Sequence, residues 1–268
     1  IVIAALAFIA IYFLQIPFPL IVLGALIIGF IYSRFQIPDS KLEEQSQIAN
    51  RKSQIWKIVA VCLALWLIPF SILLFIYGYE NLTIQLYLFF TQAAFVTFGG
   101  AYTVLAYVNQ AVVANGWVTA AQTVDGLALA ETTPGPLIMV LQFIGFMAGW
   151  NATGSTTFAV ICAILTTYVT FLPSFLFIFA GANYIEKLRT NKNLNTALSF
   201  VTASVVGVIL NLALTFGATV IYHHEHFDWF GLILAIASFI ALYFLKMDVL
   251  LIVIIGGLCG LAKYLLIG

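Results

Sequence analysis

The chain has 268 residues, 63% hydrophobic and 7% charged, with ten basic residues balanced by ten acidic ones. A soluble globular domain carries about 25% charged residues, so a mean hydropathy of +1.12 excludes a soluble fold and makes the lipid bilayer the first partner of an integral membrane protein. Zero net charge offers no electrostatic footprint for nucleic acid, and Cys62, Cys162 and Cys259 lie in apolar runs that form neither a disulfide framework nor a CxxC metal pattern.

The chain opens at Ile1 with no initiator Met and no charged leader, and so reads as part of a longer protein. Residues 1–14 and 16–32 are two apolar runs split by Gln15, Pro17 and Pro19; the first is shorter than the about 20 residues a spanning helix needs. Residues 1–33 are assigned to the tail of a first half. Residues 34–57 hold Arg34, Lys41, Arg51, Lys52 and Lys57 against Asp39, Glu43 and Glu44, which the positive-inside rule makes a cytoplasmic linker. Residues 58–268 form a second half.

Within that half, residues 58–76 are expected to span outward to a loop, 77–81, without Lys or Arg. Residues 82–114 are apolar but interrupted by FGG at 98–100. One unbroken helix would measure about 50 Å against a hydrocarbon core of about 30 Å, so two half-helices in a re-entrant hairpin are expected. Residues 119–150 repeat the pattern around TPGP at 133–136, where proline removes a backbone donor and ends one helix while allowing another to begin. Residues 155–180 then span inward with a kink at Pro173, and a second basic loop, 184–193, carries Lys187, Arg189 and Lys192. Residues 194–222 run outward to HHEHFD, 229–245 return, 246–248 turn, and 249–267 span again. This topology puts the two basic loops inside and all others outside.

Residues 7–14, AFIAIYFL, line up with residues 238–245, SFIALYFL, at an offset of 231. The first copy runs outward and the second inward, as in the inverted repeats of secondary transporters, whose sites lie near the midplane at the repeat interface. The fold class expected is therefore an all-α integral membrane protein, a polytopic helix bundle with two broken or re-entrant helical hairpins, part of an inverted-repeat transporter.

A helix that starts in mid-membrane leaves its first N–H groups unpaired and gathers about half a positive charge there, which makes an anion site. Thr97, Phe98, Gly99 and Gly100 at one break, and Thr132, Thr133, Pro134, Gly135 and Pro136 at the other, are the substrate-binding candidates; the threonine hydroxyls can donate and the glycines admit a ligand to the backbone. No Lys or Arg occurs between Lys57 and Lys187, so dipoles and hydroxyls, or a cation from another half, must hold the anion. Asp125 and Glu131 are the proton-coupling candidates, since a carboxyl held away from water takes up a proton more readily; the plainer reading of Asp125 is a helix cap. His223, His224 and His226 around Glu225 do not complete a metal site, and no cofactor is expected. Asn211 is read as an interhelical hydrogen bond, and Gly145/Gly149 and Gly256/Gly260 as close packing faces. With no GxSxG, no HExxH and no His in the apolar interior, the chain is not read as an enzyme.

FGGAY at 98–102, GWVTAAQTVDGLALAETTPGPL at 116–137 and FLPSFLFIFAGANYIEKLR at 171–189 resemble the chromate transporter family. The resemblance implies export of chromate, with sulfate as its structural analogue, across the bacterial inner membrane at the expense of the proton motive force. It also implies a homologous N-terminal half or a second subunit as partner. A sulfate or other oxyanion carrier, or a passive anion channel, is the alternative; saturable flux that responds to a pH gradient separates carrier from channel.

Overall fold

In lipid a backbone can satisfy its polar groups only within helices or closed barrels, and runs rich in Leu, Ile, Phe and Ala take the first course. A computed structural model of the chain describes residues 1–36, 52–96, 101–133, 135–181, 191–223 and 226–267. It contains α1 (Val2–Tyr12), α2 (Phe18–Gln36), α3 (Lys52–Tyr77), α4 (Leu82–Val96), α5 (Ala101–Ala114) and α6 (Ala120–Thr132). A 3₁₀ turn at Leu137–Met139 leads into α7 (Val140–Thr153). Then come α8 (Thr156–Gly181), α9 (Lys192–Ile221), a two-residue bridge of Tyr222–His223 with His226–Phe227, α10 (Trp229–Tyr243) and α11 (Val249–Ile267). Among the described residues five helices are long and apolar enough to cross a membrane. The chain is thus a polytopic all-α membrane protein. Helix enters both ends of the basic segment expected at 34–57, through α2 and α3.

Both interrupted tracts fold back on themselves. The rings of Phe89 on α4 and Tyr107 on α5 stack with centroids 5.6 Å apart, whereas a continuous helix would separate these residues by about 27 Å. In the second pair, Phe143 on α7 lies so close to α6 that a Cβ on Gly126 would fall 2.6 Å from its ring. At the open end of the same hairpin the amides of Gln122 and Asn151 bond each other at 3.1 and 2.8 Å, and Asn151 also donates to the Trp117 carbonyl at 3.0 Å.

The depth of the second break follows from α8. That helix has 26 residues and α7 has 14, or about 39 Å and 21 Å at 1.5 Å per residue. The two run antiparallel in close contact: a Cβ on Gly145 would collide with Thr166 Oγ1, and one on Gly149 would lie 2.8 Å from Ala159 Cα. The start of α7 therefore sits about halfway along a full crossing. Tyr87, Phe90, Val104, Val108, Val112 and Ile144, all fully buried, form the core between the hairpins and α8, and α3 is fastened outside it by Tyr87 and Tyr168 hydroxyls donating to the Trp66 and Leu65 carbonyls.

On the other flank α9 carries α1 and α2. Gly207 meets the backbone of Ala4 and Phe8, Gly29 meets Ala197 Cα at 2.8 Å, and Ser33 Oγ donates to Asn193 Oδ1 at 2.6 Å. α1 runs parallel to α9. α10 turns back against the end of α9, where Gly231 faces Val220, so α10 runs opposite to α1. One expectation is corrected here: the turn at 246–248 lies at the end of the bundle with the basic segments, not with the outer loops, because α10 returns there before α11 leaves again. Asp228, the N-cap of α10, pairs with Lys263 near the far end of α11 at 3.2 Å, which fixes that antiparallel register.

The two hairpins α1–α2 and α10–α11 share one turn. Gln15 and Lys246, 231 positions apart, both adopt φ 51°, the left-handed residue of a helix-ending motif. Ile16 N–H bonds Ala10 O at 3.1 Å and Met247 N–H bonds Ala241 O at 3.1 Å. Phe8 stacks on Tyr12 as Phe239 stacks on Tyr243, and α2 and α11 begin at Phe18 and Val249, again 231 apart. Their surroundings differ: α1 and α2 lie against α9, whereas no residue of Val249–Leu266 in α11 is buried.

A candidate anion site where two helix breaks meet

The site is built from the first turn of α5, the last turn of α6 and the 3₁₀ turn. Tyr102, just past the first break, donates its hydroxyl to Glu131 Oε1, just before the second, at 2.9 Å. The turn Leu137–Met139 packs against both α5 and α6. The start of α5 and the end of α6, which flank two interruptions far apart in sequence, thus come together in space. Thr97, Phe98, Gly99, Gly100 and Pro134 lie outside the described residues.

Local chemistry explains where α6 starts and stops. Thr119 and Gln122 form a capping box, each side chain bonding the other's backbone N–H. Asp125 is therefore not the cap; its side chain is exposed in mid-helix. At the other end Thr133 is extended, φ −89° and ψ 124°, as a residue before proline prefers. Thr132 Oγ1 donates to Ala128 O and Leu129 O at 3.0 Å, and Thr133 Oγ1 to Leu129 O at 2.6 Å. The two hydroxyls, expected to serve an anion, are turned back on the last carbonyls of α6. The donors that remain on the far side of the break are backbone ones: Leu137 and Ile138 open the turn, whose first internal bond is Met139 N–H to Pro136 O at 2.9 Å. Gly135 and Pro136 are exposed, and a Cβ on Gly135 would meet nothing within 4 Å, so a ligand can reach this backbone. Glu131 is exposed beside it.

Sequence reasoning did not assign Tyr102 a role; the signal available was a phenol one turn past a break that faces another break with an acid. Asn151 likewise carried no expectation, and its side chain clamps the second hairpin. Asn211 is a correction: instead of bridging helices, it lines a cavity between α1, α5 and α9, and among the described residues its side chain makes no hydrogen bond. Among the described residues no group of three or more His, Cys, Asp and Glu could hold a metal.

Comparison with known proteins gives one family. Residues 84–261 match the family model described as chromate transporter. The chain is 39% identical over 118 residues to a chromate transport protein of Pseudomonas aeruginosa, covering 44% of this chain and 26% of that one. It is 28% identical over 250 residues to an uncharacterized transporter of Methanocaldococcus jannaschii, covering 91% and 56%. A probable chromate transport protein of Synechococcus elongatus is 30% identical over 156 residues, covering 58% and 37%. The chain spans about half the length, or less, of these relatives, and no solved structure matches it. The matched family model, which takes in both folded-back hairpins and the break between α6 and α7, shows that this chain belongs to the chromate transporter family.

Proposed function

We propose that this chain forms part of a secondary carrier for chromate in the cell membrane, which exports the dianion by way of the two facing breaks. The observation that carries the reading is the Tyr102–Glu131 hydrogen bond, because it ties the only acid at the second break to the start of the helix that follows the first. While Glu131 is ionised it holds the phenol and repels a dianion. Once protonated, it loses the charge, and the Tyr102 hydroxyl is released to donate to an oxyanion held by the N–H groups at the starts of α5 and of the turn before α7. Asp125, six residues earlier on α6, is the proton's second stop. A dianion that leaves with one proton still carries net negative charge outward, so an inside-negative potential drives export by about 2.3 kcal/mol per charge per 100 mV.

The domain reading accompanies it: residues 1–33 end one transporter half, 34–57 link, and 58–268 form the next, with an inverted homologous half as partner. The shared turn of the two hairpins, 231 positions apart, supports this.

The test is radiolabelled chromate flux in proteoliposomes, wild type against Glu131→Gln, under an imposed pH gradient. Saturable flux in both, with the pH response absent from the variant, supports the carrier and the role of Glu131. Non-saturating flux indifferent to pH would make the protein a channel. Flux of sulfate without chromate would replace the substrate and leave the site.

A further inference from the structure

The geometry points to a second oxyanion station: the cavity between α1, α5, α6 and α9, in which uncharged carboxamides and the start of α6 receive a tetrahedral anion as it leaves the breaks. The cavity measures about 420 Å³. Gln15, Asn109, Gln110 and Asn211 line it, with Thr215 and Ala120. Among the described residues none of the four carboxamides has a hydrogen-bond partner for its side chain, although Asn109 is only 7% exposed and its Oδ1 is completely buried. Buried polar groups are nearly always bonded, so the unpartnered amide of buried Asn109, beside the more exposed amides of Gln15, Gln110 and Asn211, calls for a polar occupant.

Three observations make that occupant an anion. A half-turn of a terminal amide exchanges its oxygen for its NH₂ group, so each of the four side chains can offer two donors. Ala120 is the first residue of the 13-residue α6, past the Thr119 cap, and the first turn contains no acid; the positive end of a helix dipole therefore faces the space. Among the described residues no charged side chain lines it, so none of them repels a dianion. A cation would meet the wrong end of α6 and no carboxylate.

The station lies on the outward route from the breaks. Tyr102, Ala106, Asn109 and Gln110 follow one face of α5 at helical spacing, and the seven residues from Tyr102 to Asn109 rise about 10 Å. Ala106 lines the cavity and Tyr102 bonds Glu131. An exported anion can thus be handed on in two stages, from the backbone dipoles of the breaks to neutral amides nearer the outer face. The inference rests on the oxyanion reading above but not on transport having been achieved.

Equilibrium binding of radiolabelled sulfate and chromate to the purified full chain tests it, with Gln110→Leu, Asn109→Leu and Asn109→Asp as variants. Gln110 is exposed to the cavity, so its replacement leaves the fold in place even if Asn109→Leu does not. About ten-fold weaker binding is expected for each leucine variant, and a larger loss for Asn109→Asp, whose added charge repels a dianion. Absence of oxyanion binding by the wild type, or wild-type affinity in Gln110→Leu and Asn109→Asp, overturns the station. Loss of binding in the variants with no flux by the wild type keeps the station and overturns the carrier.

Discussion

Tyr102 and Glu131 sit 29 residues apart in sequence and 2.9 Å apart in space, one beginning the helix after the first break and the other ending the helix before the second. A single hydrogen bond therefore reports on whether the two breaks are together. Tyr102→Phe removes the donor and leaves the ring. Flux in Tyr102→Phe is expected to persist at a rate lowered about ten-fold, the scale of one hydrogen bond to a charged group, with its pH response displaced rather than abolished. Flux measured at several fixed pH values, symmetric across the membrane, checks this.

Gly135 separates site from scaffold. Its backbone has room for a Cβ, with nothing within 4 Å, so Gly135→Ala should leave thermal unfolding unchanged. If a ligand approaches this backbone, the added methyl weakens chromate or sulfate binding several-fold. Unaltered binding in a stable Gly135→Ala protein would remove this glycine from the site.

Gly207 is the opposite case, since a Cβ there would strike the carbonyl of Ala4 and come within 2.8 Å of Phe8 N. Backbone cannot rotate aside as a side chain can. Gly207→Ala should cost about 1–3 kcal/mol as overpacking does and separate α1 from α9, read as a lower unfolding temperature in detergent and as faster exchange of the α1 amides.

The Gln122–Asn151 amide pair closes the open end of the second hairpin, with Asn151 also donating to Trp117 O. Asn151→Asp keeps the shape but replaces the NH₂ donor by an acceptor that faces two other acceptors. Destabilisation of about 1–3 kcal/mol is expected, with raised hydrogen exchange confined to the start of α6 and the end of α7. An unchanged exchange profile would show that the clamp is dispensable.

Asp228 lies outside the spans and caps α10, and its bond with Lys263, followed by backbone N–H donors, holds its carboxyl below the usual carboxylate range. A depressed folded-state value means that the contribution is present above the unfolded value of 3.8 and is lost as pH falls through the folded one. The start of α10 should therefore keep a constant protection factor, its exchange corrected for the pH dependence of the intrinsic rate, from neutral pH down to about pH 4 and loosen only in stronger acid, while Asp228→Asn shows the loosened behaviour throughout.

Much of the architecture was legible from composition and spacing. Apolar length against bilayer thickness showed that 82–114 and 119–150 could not be single spans, and the chemistry of glycine and proline located both interruptions. Those are local constraints, set by how few residues a bilayer accommodates and by which residues a helix tolerates. α11 was legible to the residue at Val249–Ile267 for the same reason.

Partner choice was not legible, because in an apolar chain almost any face can be lipid or core. The sequence could not reveal that the hydroxyls of Thr132 and Thr133 turn back on α6, that Asn151 clamps a hairpin, or that Asn211 opens on a cavity instead of bridging helices. Each depends on which atoms the backbone brings within about 3 Å, a short-range and directional requirement that no linear spacing encodes. The sequence alone established a membrane protein with two broken hairpins; the tertiary structure decided that the breaks meet, through Tyr102 and Glu131, because a hydrogen bond between distant turns exists only once the helices that carry them have packed.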